Sequence, residues 1–524
     1  MTKRLTEGVE GKWKAYLRFF IAKLRVFSLV TSVAICLYFV ARVIILSFSD
    51  YTPVEKFFGL LLLAGETFML VHALGYMVNV FNLRGAERAA PRIVPEKGAE
   101  PWVAVIVAAR HEPRDILEST LITFRNLNYP HKNIYLLDDS SDRRFQEEAD
   151  ELGRLHGVTV FRRDARHGAK AGIVNDFIAG MGEKYLAVFD ADQNPMPDFL
   201  DEIIPFLEGD PKLAFVQTPQ FYSNIDDSPV AMGAGMQQAI FYESICEGKQ
   251  QNDAMFCCGT NVVFRRPALV SVGGFDEGSI TEDFATSVKL HSAGFRSLYY
   301  PHVKVFGMGP DTLPAYFKQQ ARWSAGTVSV FMKVLALLPR SPGALTPMQW
   351  VEYFLAGTYY FVGWAFFFLM ISPIVFLLFG IPSFFLRPEI YIATFVPYFS
   401  LSLLVFYATM HERFYTVKQI ATGLILGSLC FPVLMKSTLL GAFGRRMEFV
   451  ITTKGGRERF DWKGLWPYGV MLGLNVAAIA VGALRFRHAP YPVGVNMFWA
   501  AYHALILSNI FRFNNPDREA AARG

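Results

Sequence analysis

Charge is scarce in this sequence. Asp, Glu, Lys and Arg make up 19% of its 524 residues, while apolar residues reach 52% and aromatics 15%, with 48 Phe. That balance excludes an ordinary soluble enzyme and favours an integral membrane protein. The net charge of +5 is mild and gives no call for nucleic acid; it fits basic loops held on one side of a membrane. Cysteine is scarce too. Cys36, Cys246, Cys257, Cys258 and Cys430 have no metal-site spacing, and their odd number gives no disulfide framework. Adjacent Cys257 and Cys258 have poor geometry for a bridge, so a reduced cytosolic face is expected. There is no G-x-G-x-x-G and no G-x-x-x-x-G-K-[ST], so neither a dinucleotide nor an ATP site of the usual kind is indicated. A secretory signal is also missing. Lys12 to Arg25 (KWKAYLRFFIAKLR) instead reads as an amphipathic helix on the membrane surface.

What the chain does have is long apolar runs in two groups. Val26–Phe48 and Phe57–Phe81 come first; Tyr353–Phe379, Tyr391–Met410, Trp466–Leu484 and Val493–Phe511 come late. Each is close to the roughly 20 residues that cross hydrocarbon. Ile420–Leu440 is ambiguous, because His411-Glu412-Arg413 and Lys418 precede it and Arg445, Arg446 and Lys463 follow it. Keeping both basic flanks inside requires that it not cross, so an interfacial or re-entrant helix is expected, with Pro432, Lys436 and Ser437 within it. Six spans then leave both termini cytoplasmic. Arg42, Glu66 and His72 lie inside the first spans. They read either as the lining of a polar conduit or as a snorkelling Arg with interhelical hydrogen bonds.

Between the groups, strand and helix patterns alternate. Val103–Ala108 is a continuous apolar run of the kind found in a buried parallel strand. Ile134–Leu137, Val158–Phe161, Leu186–Phe189 and Leu213–Val216 repeat it, with helices such as Asp115–Arg125 and Phe199–Leu207 between. The reading is a doubly wound α/β domain, which binds ligands at the carboxyl ends of its strands. Asp138-Asp139 and Asp190 fall at two of those ends.

Four polar clusters follow in order: Asp138-Asp139, Asp190-Ala191-Asp192, Thr281-Glu282-Asp283, and Gln319-Gln320-Ala321-Arg322-Trp323. Two carboxylates one residue apart, leaving a strand, can hold a hard divalent cation, Mg2+ or Mn2+, but strand-end caps look the same. Ser279 and Glu282 form an S-x-x-E capping box before a helix Phe284–Ser292 that Gly294 stops. A carboxylate at that helix start can also face a cleft. Gln319, Arg322 and Trp323 share one helix face, where Arg can grip phosphate and Trp can stack on a sugar.

In this order the clusters resemble those of the catalytic subunit of bacterial cellulose synthase, a processive, inverting, membrane-integrated family-two glycosyltransferase. The likeness runs from Trp102 to the last span. Arg166-His167-Gly168-Ala169-Lys170-Ala171-Gly172, Gln217-Thr218-Pro219, Phe256-Cys257-Cys258-Gly259-Thr260, Gly273-Gly274-Phe275 and Phe449-Val450-Ile451-Thr452-Thr453-Lys454 carry it, the last being similar to the F-x-V-T-x-K gating loop.

The resemblance implies a GT-A, Rossmann-like cytoplasmic domain embedded in a helical transmembrane bundle with interfacial helices. The divisions are 1–25 for the amphipathic helix, 26–83 for two spans, 84–310 for the glycosyltransferase domain and 311–350 for interfacial helices with Q-x-x-R-W. Two more spans occupy 351–410, the interfacial helix and gating loop 411–464, two last spans 465–511 and a cytoplasmic tail 512–524. It implies an inner-membrane enzyme that uses a UDP-sugar, UDP-glucose above all, with a growing polysaccharide as acceptor. Periplasmic or accessory secretion proteins would be its further partners. Asp283, with Glu282, would be the catalytic base. Asp138, Asp139, Lys170, Asp190, Gln319, Arg322, Trp323, Cys258, Gly259 and Thr260 would bind substrate; Asp190 and Asp192 would hold metal. Phe449, Thr452 and Lys454 would serve the gating loop.

The chain departs from that pattern at Ala108-Ala109-Arg110-His111-Glu112-Pro113, where the family has Thr-Tyr-Asn-Glu, so an expected nucleotide contact is missing. Ser140 follows Asp138-Asp139 where Gly is usual, and only two spans come before the domain. After Phe511 only a short polar tail remains, so no cyclic-dinucleotide-sensing barrel is expected in this chain. A β-glucan of cellulose, curdlan-like β-1,3 or mixed linkage is the expected product. Chitin, hyaluronan-like or mannan synthesis and a non-processive transfer to a lipid carrier are the alternatives. A channel or transporter would explain the intramembrane charges but not the acidic clusters.

Overall fold

The computed structural model describes residues 2–82, 91–383, 388–445 and 458–515. Its extramembrane part is built on a seven-stranded sheet. The strands are β1 (Val103–Ala109), β2 (Lys132–Asp138), β3 (Thr159–Phe161), β4 (Tyr185–Asp190), β6 (Leu213–Gln217), β8 (Val262–Arg265) and β9 (Arg296–Tyr299). Their order is β3-β2-β1-β4-β8-β6-β9. A three-stranded sheet of β5 (Asn194–Pro195), β10 (Val305–Gly307) and β7 (Phe221–Tyr222) stands beside it.

Strand β1 explains the continuous apolar run. It pairs in parallel with β2 on one side and β4 on the other, and its residues alternate between two cores. Val103, Val105 and Val107 meet Leu121, Phe124 and Ile203; Ala104 and Ile106 meet Ile173, Val174 and Phe177. Both faces are dry, so both parities must be apolar. The chain order reverses between β1 and β4, which makes their carboxyl ends the switch point where such sheets bind ligands. Strand β8 runs antiparallel to both neighbours, and the sequence pattern did not foretell it, β9 or the small sheet.

Among the described residues five helical segments are long and apolar enough to cross a membrane, Ala22–Phe48, Pro53–Asn82, Pro347–Phe379, Glu389–His411 and Trp466–Arg485, and the bent pair Val417–Leu429 and Phe431–Ala442 would make a sixth if it is one span. The stretch expected as Val493–Phe511 is the helix Pro490–Ser508, which buries Asn496 and His503 and is not among those five. It lies against Gly482 of its neighbour, where an added Cβ would meet the Met497 side chain at 2.8 Å. The ambiguous segment is bent. Val417–Leu429 and Phe431–Ala442 meet at 53°, with Pro432 in the first turn of the second helix. The first of them packs onto the helix Pro229–Ile240 through two glycines: a Cβ on Gly233 would meet Leu426 at 2.7 Å, and one on Gly423 would meet Met236 at 2.9 Å.

Three expectations need correction. The amphipathic stretch Lys12 to Arg25 is not a separate helix, because one unbroken helix runs from Thr2 to Phe48. Nothing at the Arg25-Val26 junction stops it, as no Pro or Gly stands there. Ser279 is not a helix cap. The helix Glu282–Ser292 has Thr281 at its N-cap without a side-chain bond, and the Ser279 hydroxyl accepts from Lys333 Nζ at 2.9 Å. Arg42 does not snorkel. It is 3% exposed, and its Nε donates to Glu66 Oε2 at 2.7 Å while the Tyr38 hydroxyl donates to Glu66 Oε1 at 2.6 Å. His72 sits within 3.3 Å of the Leu355 carbonyl, so it too is held between helices. All five cysteines are free thiols.

One buried ion pair ties the two parts of the molecule together. Lys249 Nζ lies 2.5 Å from Glu352 Oε2, with the side chains 4% and 3% exposed, and Asn252 Nδ2 donates to the other carboxylate oxygen at 2.9 Å. Lys249 is in the extramembrane helix Glu247–Gln250; Glu352 is in the membrane-entry helix Pro347–Thr358. Removing one partner of such a pair leaves an uncompensated charge, at a cost of about 3–5 kcal/mol. Glu352→Gln should therefore lower the thermal unfolding midpoint in detergent sharply. Lys249→Met combined with Glu352→Leu should recover much of that loss, and a single variant as stable as the parent would contradict the coupling.

Candidate active site

The cleft opens at the carboxyl ends of β1, β2 and β4. The register sets Ala109 beside Asp138 and Ala108 beside Asp190. Asp138 accepts from Arg162 Nε at 2.7 Å and from the Ser140 N–H at 3.0 Å. Asp139 accepts from Arg163 Nε and Nη2 at 2.9 and 3.0 Å, and from Arg166 Nε at 3.0 Å. Both acidic residues are thus already gripped by arginines that the sequence reading passed over. The signal was available: Arg162 and Arg163 directly follow β3, and β3 is the parallel neighbour of β2.

Beside them the helix Ala169–Gly180 begins in a tight left-handed turn, with Gly168 at φ 57° and Ala169 at φ 46°. The turn places Lys170 on Asp190: its ammonium donates to Asp190 Oδ1 and, at 2.8 Å, to the Gly259 carbonyl. Burial works against the Lys170 charge, but the carboxylates of Asp190, Glu282 and Asp283 together raise its pKa. The segment Cys258-Gly259-Thr260 lines the opposite side. The buried Thr260 hydroxyl accepts the Asp190 N–H at 2.9 Å, and the Cys258 N–H donates to Gln217 Oε1 at 2.9 Å. Burial pushes the Cys258 thiol up, so it is not a nucleophile. Gly259 has φ 84°, and a Cβ there would lie 2.9 Å from Asp283 Oδ2. Only glycine lets this loop approach the carboxylate so closely.

Glu282 and Asp283 open their helix at the cleft floor, and Asp283 Oδ1 accepts its own next N–H, that of Phe284, at 2.8 Å. Burial, then the neighbouring Glu282, pushes the Asp283 carboxyl up to about 7; the Phe284 N–H, Lys170 and Arg322 oppose the rise. Burial likewise raises Glu282. Arg322 comes from the helix Leu313–Leu337, which also carries Gln319 and Trp323. One turn on, Gly326 lets that helix close on the acidic segment, since a Cβ there would meet Thr281 Cγ2 at 2.6 Å. Gln319 lies near enough to the buried Tyr222 hydroxyl to oppose the rise in its pKa that burial causes, a proximity the sequence reading did not foresee.

Asp192 is buried, and its Oδ2 accepts the Met308 N–H at 2.9 Å; the Asp190 side chain is 45% exposed to the cleft. Among the described residues no group of three or more His, Cys, Asp or Glu could hold a metal. Asp190 and Asp192 thus offer a cation two carboxylates at most, one of them bound to Lys170. Phe449, Thr452 and Lys454 lie outside the described residues. The flanks of their segment both return to the Gln319 helix. A Cβ on Gly441 would press on the Ala325 carbonyl at 2.5 Å, the Phe460 and Phe317 rings are 5.7 Å apart, and Lys318 Nζ is 3.5 Å from Glu458.

Comparison with known proteins bears on the fold and on the family the chain is similar to. The family model described as "Glycosyl transferase family group 2" matches residues 185–410. A cellulose synthase catalytic subunit (UDP-forming) of Pseudomonas fluorescens (strain SBW25) is 28% identical over 477 residues, 87% of this chain and 62% of the relative. A cellulose synthase catalytic subunit (UDP-forming) of Komagataeibacter sucrofermentans is 24% identical over 485 residues, 87% of this chain and 61% of its own length. The chain thus spans about three fifths of the length of these two relatives. Among solved structures, a mannosyltransferase from Pyrobaculum calidifontis in complex with GDP-Man and Mn2+ superposes with a TM-score of 0.52 at 17% identity, covering 74% of this chain and all of its own. The sheet is accordingly of the GT-A type.

The Asp283 titration is directly measurable. Its carboxyl should be protonated below and ionised above a midpoint near 7. Infrared difference spectra should show one carboxylate band growing through that pH and missing in Asp283→Asn. Lys170→Met removes a cation that favours the ionised form, so it should move the midpoint upward.

Proposed function

Starting from a chain whose residues 185–410 carry a family-two glycosyltransferase domain and which is homologous to bacterial cellulose synthase catalytic subunits, we propose that it is a processive, inverting glycosyltransferase of the inner membrane. It builds a β-glucan from UDP-glucose on the cytoplasmic side and passes the chain across the membrane. The observation that carries this reading is the Asp283 carboxyl at the floor of a strand-end cleft, pushed up to about 7 by burial and Glu282 against the opposing charges of Lys170 and Arg322. A general base needs a pKa close to the working pH, and burial beside Glu282 supplies it. The UDP donor is favoured by the UDP-forming relatives.

The residues divide the work. Asp283 takes the proton of the acceptor hydroxyl as that oxygen attacks the anomeric carbon from the face opposite the leaving group. The carbon–oxygen bond to the diphosphate breaks, UDP departs with the bonding pair, and the configuration inverts. Lys170 and Arg322 balance the charge that develops on the diphosphate. Asp190 and Asp192 would hold a divalent cation, Mg2+ or Mn2+, which when bound supplies further neutralisation of that charge. Gln319 and Tyr222 brace the helix that presents Arg322, and Trp323 offers a flat apolar platform for the acceptor sugar. Asp138 and Asp139 with their arginines border the nucleoside. The basic flanks of the spans favour a cytoplasmic cleft. Phe449, Thr452 and Lys454, outside the described residues, are assigned the gating role by the sequence motif alone.

Purified chain incubated with each UDP-sugar in turn tests the reading. UDP release and a β-linked glucose polymer are expected from UDP-glucose, with linkage analysis deciding between cellulose, β-1,3 and mixed products. No UDP release from any sugar nucleotide would refute it. Asp283→Asn should lose about 10²–10⁴ in turnover with UDP binding kept. In the parent the rate should rise with pH through about 7, because the base works only when ionised.

Trp323→Ala leaves the carboxylates and cations in place but removes the platform. Misplacing an acceptor costs about 10²-fold. Polymer synthesis should therefore fall far more than UDP binding, with residual UDP release reflecting hydrolysis to free sugar. Normal-length polymer made at the normal rate would assign Trp323 to membrane anchoring alone.

A further inference from the structure

The turn that delivers Lys170 is strained, and its surroundings must hold it. Ala169 has φ 46°, a left-handed value that a residue with a Cβ adopts at a cost and keeps only where neighbours over-determine it. Arg163 supplies part of the hold, donating from Nη1 to the His167 carbonyl at 2.5 Å and from Nη2 to the Ala169 carbonyl at 3.2 Å. The His167 side chain supplies the rest. Its Nδ1 lies 2.7 Å from Glu277 Oε2 and its Nε2 lies 3.1 Å from Asp176 Oδ2. An imidazole that bonds a carboxylate at each nitrogen carries a proton on both. The bond to Glu277, with the charges of Asp176 and Glu277, raises the His167 pKa above its ordinary value. Glu277 is itself fixed. Its Oε1 accepts from Asn175 Nδ2 at 2.8 Å, and Asn175 Oδ1 accepts the Phe275 N–H at 2.8 Å. Two glycines permit this closeness: a Cβ on Gly168 would collide with the Glu277 carboxylate, and one on Gly274 with the Asn175 amide.

We propose that His167 is a positioning residue: with Glu277 it clamps the Lys170 turn to the loop that leads into the helix Glu282–Ser292, and so sets the distance between the Lys170 ammonium and the Asp283 carboxyl. Its importance for turnover rests on the proposed function, in which Lys170 faces the diphosphate and Asp283 is the base. Among the described residues the charged groups facing His167 are Glu277 from that loop, Asp176 from the helix His167 precedes, and Arg163 from the end of β3, whose Nη1 is also 3.6 Å from Asp176. The His167 and Glu277 side chains are 47% and 35% exposed. Ion pairs that open to water add little to stability, so what this cluster supplies is geometry. The same loop is held from its other side by Lys333, whose Nζ donates to the Ser279 hydroxyl. The acidic segment is thus tied to the α/β domain through His167 and to the Gln319 helix through Lys333.

The titration midpoint of the Asp283 carboxylate band, followed by infrared difference spectra on the purified full chain in detergent, tests the clamp without turnover. Lys170 favours the ionised form, so a turn that withdraws Lys170 should move the midpoint up. His167→Ala removes a cation and Glu277→Ala removes an anion; through their fields alone they would move the midpoint in opposite directions. Acting as one clamp, both should move it up, by a fraction of the about 1–3 pH that loss of a neighbouring cation gives. His167→Ala should add no further rise in a Lys170→Met background. His167→Arg can donate to both carboxylates and should keep the parent midpoint. A downward shift in Glu277→Ala would overturn the inference, and that variant carries the test alone if His167→Ala does not fold. A rise from His167→Ala that persists in the Lys170→Met background would overturn it too. UDP release from UDP-glucose should fall in both alanine variants, by up to the about 10²-fold cost of a misplaced group, and recover in His167→Arg. Release at the parent rate in His167→Ala would remove the positioning role. A parent that shows the midpoint shifts but releases no UDP would refute the proposed function and leave the clamp standing.

Discussion

A pair of adjacent carboxylates can be buried in this cleft only because two cations face it. Glu282 and Asp283 follow each other at a helix start, and burial pushes both toward their neutral forms. Lys170 and Arg322 offset that penalty, and each is delivered by a different part of the molecule. Lys170 comes from the first turn of a helix in the α/β domain, placed by two left-handed residues. Arg322 comes from the long helix Leu313–Leu337, whose far side packs on the bent membrane-associated pair through Gly441. The Asp283 environment therefore exists only when the α/β domain and the membrane region are docked.

The same dependence accounts for other features that look unrelated. Gly259 and Gly326 are both sites where a Cβ would strike the acidic segment, one from the loop before β8 and one from the Gln319 helix. The Lys249–Glu352 pair fixes the domain to the helix that enters the membrane. Arg413, just past the span Glu389–His411, adds a second tether by bonding Glu243 and Glu247. Glu243 belongs to a one-turn π-helical stretch, Phe241–Cys246, of the kind that often marks functional positions. Tyr242 of that stretch touches Cys258 in the loop that lines the cleft. Docking is thus maintained by one buried charge pair, Lys249–Glu352, and by the half-buried cluster of Arg413 with Glu243 and Glu247.

Much was legible in the sequence because it depends on local pattern. The apolar runs, the parallel strands β1, β2, β4 and β6, and the strand-end position of Asp138 and Asp190 follow from period and composition alone. Asp190-Ala191-Asp192 leaves β4 as the sequence reading placed it, and Gln319, Arg322 and Trp323 do share a helix. Other features escaped because their cause is distant in the chain. Strand β8 has four residues and no alternation, since β4 and β6 cover its edges and both faces are packed. Ser279 read as a cap, yet Lys333, 54 residues away, claims its hydroxyl. The break expected after Arg25 needed a helix-stopping residue, and the chain has none there.

The sequence by itself determined which stretches are apolar enough for lipid, which strands are buried on both faces, and which residue types gather at the strand ends. These are properties of the solvent that each segment tolerates and of backbone periodicity, both carried by near neighbours. Only the tertiary structure decided which charges meet. It gave Asp138 and Asp139 to the arginines after β3, gave Asp190 to Lys170, and raised Asp283 by burial beside Glu282. Electrostatic state depends on distance and desolvation, and those are set by segments separated in the chain that close on one cleft.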